Sequence, residues 1–302
     1  MDTTESVREP RGAYDENVKT NSDVASNPDA WSIVARNLPE HANNAIHTDE
    51  GARAAGFERA LVAGVTSYAY CLHPVVEHFG LDWLSTGEAE VQFRAPVFDG
   101  DQVAFPLKPI EDEDDAEADH EAKPKAKPKA KHKDLRNGEN NGVNEGVNVE
   151  AWVARSARPL LTVSAWRKHR PQPHPSGSAR PGEQLEIVHL RLEGEYGSEY
   201  AVRSGNLDDQ CARAGLVHPG VWPSLGNYVF HRQLARGSWI HTRSIVRQFA
   251  TVADGAEAEI SSNVIERFTR GGKRAIADVV VRVNGRVVAA IEHEAIIDLA
   301  PR

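Results

Sequence analysis

Hydrophobic positions along the chain follow two rhythms, and the change from one to the other marks the elements. Leu61, Val65, Tyr68, Leu72, Val75 and Phe79 recur every three or four residues, which aligns them on one face of a helix that is largely buried. Its polar members Thr66 and Ser67 are small, and Ala60, Ala63, Gly64 and Ala69 let backbone or ligand come close. Just upstream, Thr48-Asp49 is an N-cap pair followed by Glu50, predicting a short helix from about Asp49 to Ala55 that Gly56 ends. A period of two governs most of the rest. Strands are predicted at Trp31 to Ala35, Glu90 to Arg94, Val103 to Leu107, Val149 to Ala154 and Pro159 to Trp166, with a turn at Asp99-Gly100.

The second half repeats this order. Leu185 to Leu192 reads as a strand, Tyr200 to Asn206 leads into a polar loop, and Gly215-Leu216-Val217-His218-Pro219-Gly220 precedes an apolar helical stretch to Phe230. Strands follow at Trp239 to Phe249, Ala256 to Phe268, Arg274 to Val283 and Arg286 to Ile297, with Asn284-Gly285 a strong two-residue hairpin signal. Asp254-Gly255 echoes Asp99-Gly100. An internal duplication explains this more economically than two unrelated folds.

Three stretches fit neither rhythm. Residues 1–29 are polar and acidic and are expected to be a disordered tail. Residues from about 111 to 149 hold an acidic block, a Lys-Pro-Ala run and an Asn/Gly-rich repeat, which is read as a disordered insertion. Residues 168–183 read as a linker, so the domains are 30–167 and 184–302. His169 and His174 lie in that linker, and with no third ligand near them they are read as linker histidines rather than a metal pair.

Composition narrows the function classes. A net charge of -9 argues against a nucleic-acid-binding surface; the Lys-Pro-Ala run has the charge to bind a polyanion but, lacking aromatics for base stacking, is read as a solvated spacer. Cys71 and Cys211 form no CxxC pair, so neither a disulfide framework nor a metal site is indicated and a cytoplasmic setting is expected. The longest apolar run, about Ala60 to Val76, is interrupted and too short to span a bilayer.

Chemistry concentrates between Glu40 and Tyr70. Asn44 and His47 stand three apart in a polar loop that could aim both into one pocket, and the alternative is a packed loop histidine. Asn44-Ala45-Ile46-His47-Thr48-Asp49, Gly56-Phe57 and Val62-Ala63-Gly64 together resemble the hydratase signature of the MaoC-like proteins and (R)-specific enoyl-CoA hydratases. That signature reads Gly-Asp-x-Asn-Pro-(Ile/Leu)-His-x-Asp, then Gly-Phe and a His-Gly at a helix start.

The resemblance implies an α+β fold, a tandem (double) hot-dog in which each half wraps a curved antiparallel sheet around a long central helix. It also implies hydration or dehydration of a 2-enoyl thioester, with coenzyme A as the expected carrier. His47 would be the acid/base group, Asn44 would orient water or hold His47, and the Gly64 N–H would stabilise charge on the thioester oxygen. Val62, Ala63 and Phe57 would line the substrate.

The departures are equally specific. The family's catalytic Asp position is Ala42, its preceding Gly is His41, its Pro is Ala45, and the His before the helix Gly is Ala63. Glu40, the nearest upstream carboxylate, is the candidate replacement for the Asp. In the second half Ser204-Gly205-Asn206 and Val217-His218-Pro219-Gly220 resemble a degenerate copy, with Cys211 near the His position, and His218 is read as a packed helix-start residue, the alternative being that it reaches the shared cleft. The runs Trp239 to Ser244 and Glu292-His293-Glu294 are open to the same two readings, with a solvated strand face the favoured one. No metal or redox cofactor is implied, and the expected partner is a small-molecule acyl thioester, with the chain a monomer or homodimer. A thioesterase and a non-catalytic acyl-thioester-binding protein are the rival readings, the latter because of Ala42.

Overall fold

The computed structural model describes residues 30–110, 145–171 and 175–299. The expected tail (1–29), most of the expected insertion (111–144) and His174 lie outside the described residues.

The strands are β1 (Trp31–Val34), β2 (Glu88–Phe93), β3 (Gln102–Phe105), β4 (Leu107–Pro109), β5 (Gly146–Ala151), β6 (Leu161–Trp166), β7 (Glu183–Gln184), β8 (Val188–Leu192), β9 (Ile240–Gln248), β10 (Ala256–Thr269), β11 (Gly272–Val283) and β12 (Arg286–Leu299). The helices are α1 (Asp49–Ala54), α2 (Gly64–Phe79), α3 (Trp83–Thr86), α4 (Tyr200–Arg203), α5 (Gln210–Ala214) and α6 (Val221–Gln233). One continuous sheet runs β4-β5-β6-β2-β9-β12-β11-β10-β7, all pairs antiparallel, with β8 also on β10. The two halves join where β2 pairs with β9, from Glu88 opposite Arg247 to Gln92 opposite Arg243. β1 and β3 form a separate pair.

Each half packs one long helix on its part of the sheet. Tyr68, Leu72, Val75 and Phe79 of α2 are buried with Val91, Val149, Leu161 and Val163. Trp222, Leu225, Val229 and Phe230 of α6 are buried with Val279, Val281, Ala289 and Ile291. Each buried Val, Leu, Ile or Phe among them contributes roughly 1.5–3 kcal/mol by leaving water. Asn284 and Gly285 both take positive φ, 51° and 74°, the two-residue turn that their sequence predicts between β11 and β12.

Three expectations change. Leu61 is not part of the long helix, because its N–H donates to the Ile46 carbonyl and its own carbonyl accepts from His47, so α2 begins at Gly64. Strand β5 begins at Gly146, inside the stretch assigned to the insertion, where Val147 and Val149 are buried against the core. The Trp239 to Ser244 and Glu292 to Glu294 runs are not simply solvated. His241, Ser244 and His293 point into the core, while Arg243, Glu292 and Glu294 lie on the opposite face; a register shift at Thr242 brings His241 and Ser244, three apart, to the same side.

That opposite face carries an ion-pair ladder across the seam between halves. Glu88, fully buried, accepts from Arg170 Nε at 2.6 Å and Arg247 Nε at 2.8 Å. Arg243 bridges Glu90 and Glu292, and Arg180 joins Glu292 to Asp278. Arg170 and Arg180 come from the expected linker, which is therefore pinned to the back of the sheet. His169 is pinned too, its Nε2 lying 2.8 Å from the Gln248 carbonyl.

Candidate active site

The loop between β1 and α1 is built from two 3₁₀ turns, Pro39–Asn43 and Ala45–His47, and its shape is fixed by side chains of the loop itself. Thr48 caps α1 by accepting from the Gly51 N–H, and Asp49 accepts the Ala60 N–H. Gly51 permits close passage, since a Cβ there would sit 2.2 Å from the Ala45 carbonyl oxygen. Asn37 donates to the His47 carbonyl at 2.7 Å.

His47 Nδ1 lies 2.8 Å from the Leu61 carbonyl oxygen. A carbonyl only accepts, so Nδ1 carries the proton and Nε2 keeps its lone pair. Burial pushes the His47 pKa down to about 4, the Leu61 carbonyl pulling the other way and the neighbouring His41 adding to the fall. The imidazole is therefore a neutral base at physiological pH.

Two cavities meet around it. One, of about 290 Å³, is walled mainly by apolar groups including Phe57, Val62, Phe93 and Leu161, and it reaches Gly64. The other, of about 330 Å³, is polar, with Glu40, His41, Glu195, Tyr196 and Tyr228 among its walls, and it reaches Ala63. Asn44, His47, Asn227 and Trp239 border both. All seven residues singled out in the sequence thus line one of these spaces. Gly64 opens α2, whose first turn has no side-chain cap, and a Cβ at Gly64 would stand 3.1 Å from the Phe93 ring.

The sequence-based roles are not all matched by position. Asn44 does not hold His47; its amide donates to the Trp239 carbonyl at 2.8 Å and accepts the Trp239 N–H at 3.4 Å. Glu40 is paired with Arg203 at 2.6 Å. The group beside His47 is His41, with ring centroids 5.8 Å apart, and His41 Nε2 is 3.1 Å from Thr66 Oγ1. Burial lowers the His41 pKa, opposed by Glu40 and helped by Arg203.

No protein-family model matches the chain, and no curated protein does. Solved structures do. A MaoC domain protein from Chloroflexus aurantiacus is 14% identical, with 98% of this chain and 100% of that chain covered at a TM-score of 0.54. A MaoC-like dehydratase is 12% identical over 89% of this chain and 97% of that one, TM-score 0.51. A conserved hypothetical protein from Mycobacterium tuberculosis, described as a double hotdog fold, is 12% identical over 92% and 98%, TM-score 0.52. The chain has the double hot-dog fold.

Within this double hot-dog the second copy of the loop is closed. His218 Nδ1 accepts the Gly220 N–H at 3.0 Å, and its Nε2 faces Asp209 at 3.6 Å. Asp209 also caps α5 through the Ala212 N–H. Asp209, Cys211 and His218 are the described residues with the chemistry to hold a metal, their ligand atoms lying within 4.8 Å of one another. His218 Nδ1 accepts from Gly220, so the neutral ring carries its proton on Nε2, which faces Asp209 beyond hydrogen-bond distance, and the trio reads as a loose Asp-His pair packed by a thiol. Burial and Asp209 push the Cys211 pKa up, away from the thiolate a metal needs.

Sequence reasoning missed Asn227, Trp239 and His241 as wall residues. Each comes from the half without the signature, and no local pattern in the sequence marks them. No helix among the described residues is long and apolar enough to cross a membrane.

Proposed function

We propose that this double hot-dog protein hydrates a 2-enoyl thioester, or dehydrates the corresponding 3-hydroxyacyl thioester, with coenzyme A as the carrier. The observation that carries the reading is the neutral His47, its Nδ1–H fixed on Leu61 and its Nε2 left unprotonated, in a cavity that also reaches the uncapped start of α2. With the thioester oxygen at the Gly64 N–H, the partial positive charge of the helix start meets the negative charge that develops there. His47 Nε2 takes a proton from water as the water oxygen bonds to C3, and returns it to C2 as the enolate collapses. One base can thus serve both proton transfers, which suits a loop with Ala42 where the related signature has Asp. No resident metal or redox cofactor enters this scheme.

The test is loss of enoyl absorbance with crotonyl-CoA and longer enoyl-CoAs, for the unmodified chain beside His47→Ala. Turnover abolished in His47→Ala supports the reading. An inert unmodified chain across all chain lengths overturns it, and free-thiol release in the same cuvette would assign hydrolysis instead. The non-catalytic reading draws on Glu40: its carboxylate is tied to Arg203, and no carboxylate among the described residues is hydrogen-bonded to His47.

A further inference from the structure

His41 and His47 both border the polar cavity, and each ring is anchored through one nitrogen only. His47 Nδ1 is fixed on the Leu61 carbonyl, and His41 Nε2 lies 3.1 Å from Thr66 Oγ1 in the first turn of α2. The other nitrogens, His47 Nε2 and His41 Nδ1, have no hydrogen-bond partner among the described residues. Neither is among the nine unpaired polar atoms that are closed off from solvent, so both stay accessible. Two rings with centroids 5.8 Å apart can present nitrogens roughly 4.5 Å from each other, the span that one water bridges with two bonds of about 2.8 Å. His47 also borders the apolar cavity and His41 does not, so water meets the pair from the polar side and an acyl chain from the apolar side.

We propose that His41 is a second catalytic group of this site, holding the reacting water through Nδ1 while His47 Nε2 takes its proton. The proposal rests on the hydration reading above and deepens it. The Thr66 hydroxyl can accept from His41 Nε2–H, which leaves Nδ1 a lone pair for one hydrogen of the water. The other hydrogen passes to His47 Nε2 as the oxygen bonds to C3. The C2–C3 π pair moves into the thioester as an enolate, and the proton on His47 then adds to C2. The hydrogen held by His41 stays on the oxygen as that of the 3-hydroxyl group, so every proton is accounted for. Water gripped at both hydrogens turns its lone pairs away from the two rings and toward C3, and fixing that orientation in advance lowers the barrier. His41 thereby fills the part for which Glu40, tied to Arg203, is not free.

The two nitrogens of His41 can be replaced separately, because an asparagine amide sets a polar atom close to the Nδ1 position and a glutamine amide one close to Nε2. Hydration of crotonyl-CoA and longer 2-enoyl-CoAs is measured for the full chain beside His41→Asn, His41→Gln and His41→Phe, each checked for native circular dichroism. His41→Gln and His41→Phe should lose about tenfold or more in kcat with KM within about threefold of wild type, while His41→Asn keeps kcat within about threefold. If His41→Phe does not fold, the order of His41→Asn and His41→Gln decides alone. The reverse order, or equal loss in all the variants, overturns the proposal by leaving His41 a structural anchor for Thr66. Unchanged kcat throughout overturns it as well and leaves the hydration reading standing. An unmodified chain inert with every 2-enoyl-CoA overturns both readings together.

Discussion

The side-chain amide of Asn44 grips the backbone of Trp239 from both sides, donating to its carbonyl at 2.8 Å and accepting from its N–H at 3.4 Å. These residues are 195 positions apart, so the bond pair ties the His47 loop of one half to the entry of β9 in the other. Cutting it leaves two buried backbone groups unpaired. Asn44→Leu is expected to destabilise the protein by about 2–4 kcal/mol. It should also lower affinity for any ligand that contacts Trp239. Urea unfolding followed by tryptophan fluorescence checks the first part, and an unchanged midpoint would mean that the clamp contributes nothing.

Glu88 offers a larger effect. Its carboxylate is fully buried and satisfied by the Arg170 backbone and guanidinium together with Arg247. Removing it leaves the buried Arg247 guanidinium without a carboxylate and Arg170 with only Glu90 at 3.5 Å, and loss of one member of such a group costs about 3–5 kcal/mol. Glu88→Ala should therefore unfold at much lower urea than wild type and free residues 168–171 for early proteolytic cleavage. Limited trypsinolysis that leaves Arg170 as protected as before would contradict that account.

Much of this fold could be read from the sequence because burial imposes a period. The strand rhythm placed β9 to β12 to within a few residues, and Thr48-Asp49 marked α1. Leu61 misled because its apolar side chain keeps helical spacing while its backbone bonds go to Ile46 and His47. The site divided in the same way. His47, Gly64 and their neighbours carry a local motif, whereas Asn227, Trp239 and His241 reach the cavity only through the pairing of β2 with β9. Glu88 was equally hidden, since nothing local to a strand tells a buried, doubly paired carboxylate from a solvated one.

The buried histidines are expected to limit stability in acid. Burial lowers the pKa of His41, His47, His218, His241 and His293, with His47 brought to about 4 and His241 to about 3. For a histidine whose pKa falls on folding, the unfolded chain binds the extra proton, so stability is complete above about pH 6.5 and declines as pH drops toward the folded values. The thermal midpoint should thus be flat from pH 7 to 8 and fall steadily from pH 6 to 4. His241→Phe with His293→Phe should flatten part of that fall. A midpoint independent of pH over that range would show that these rings are not buried neutral.

Gly64 separates catalysis from folding. Its Cβ-free surface faces Phe93, and an added methyl would meet the ring at 3.1 Å, a contact that a shift of a few tenths of an ångström relieves. Alanine is also the better residue inside a helix, so Gly64→Ala should fold with stability within about 1 kcal/mol of wild type. The methyl would nonetheless crowd the approach to the start of α2, where the thioester oxygen has to meet an N–H. Losing one such donor interaction costs on the order of 10²–10³ in rate. Hydration of crotonyl-CoA by Gly64→Ala should fall by at least tenfold in kcat, while His47→Ala abolishes it and the melting curve of Gly64→Ala stays in place. Full activity in a folded Gly64→Ala protein would remove the helix start from the mechanism and leave His47 to act with another donor.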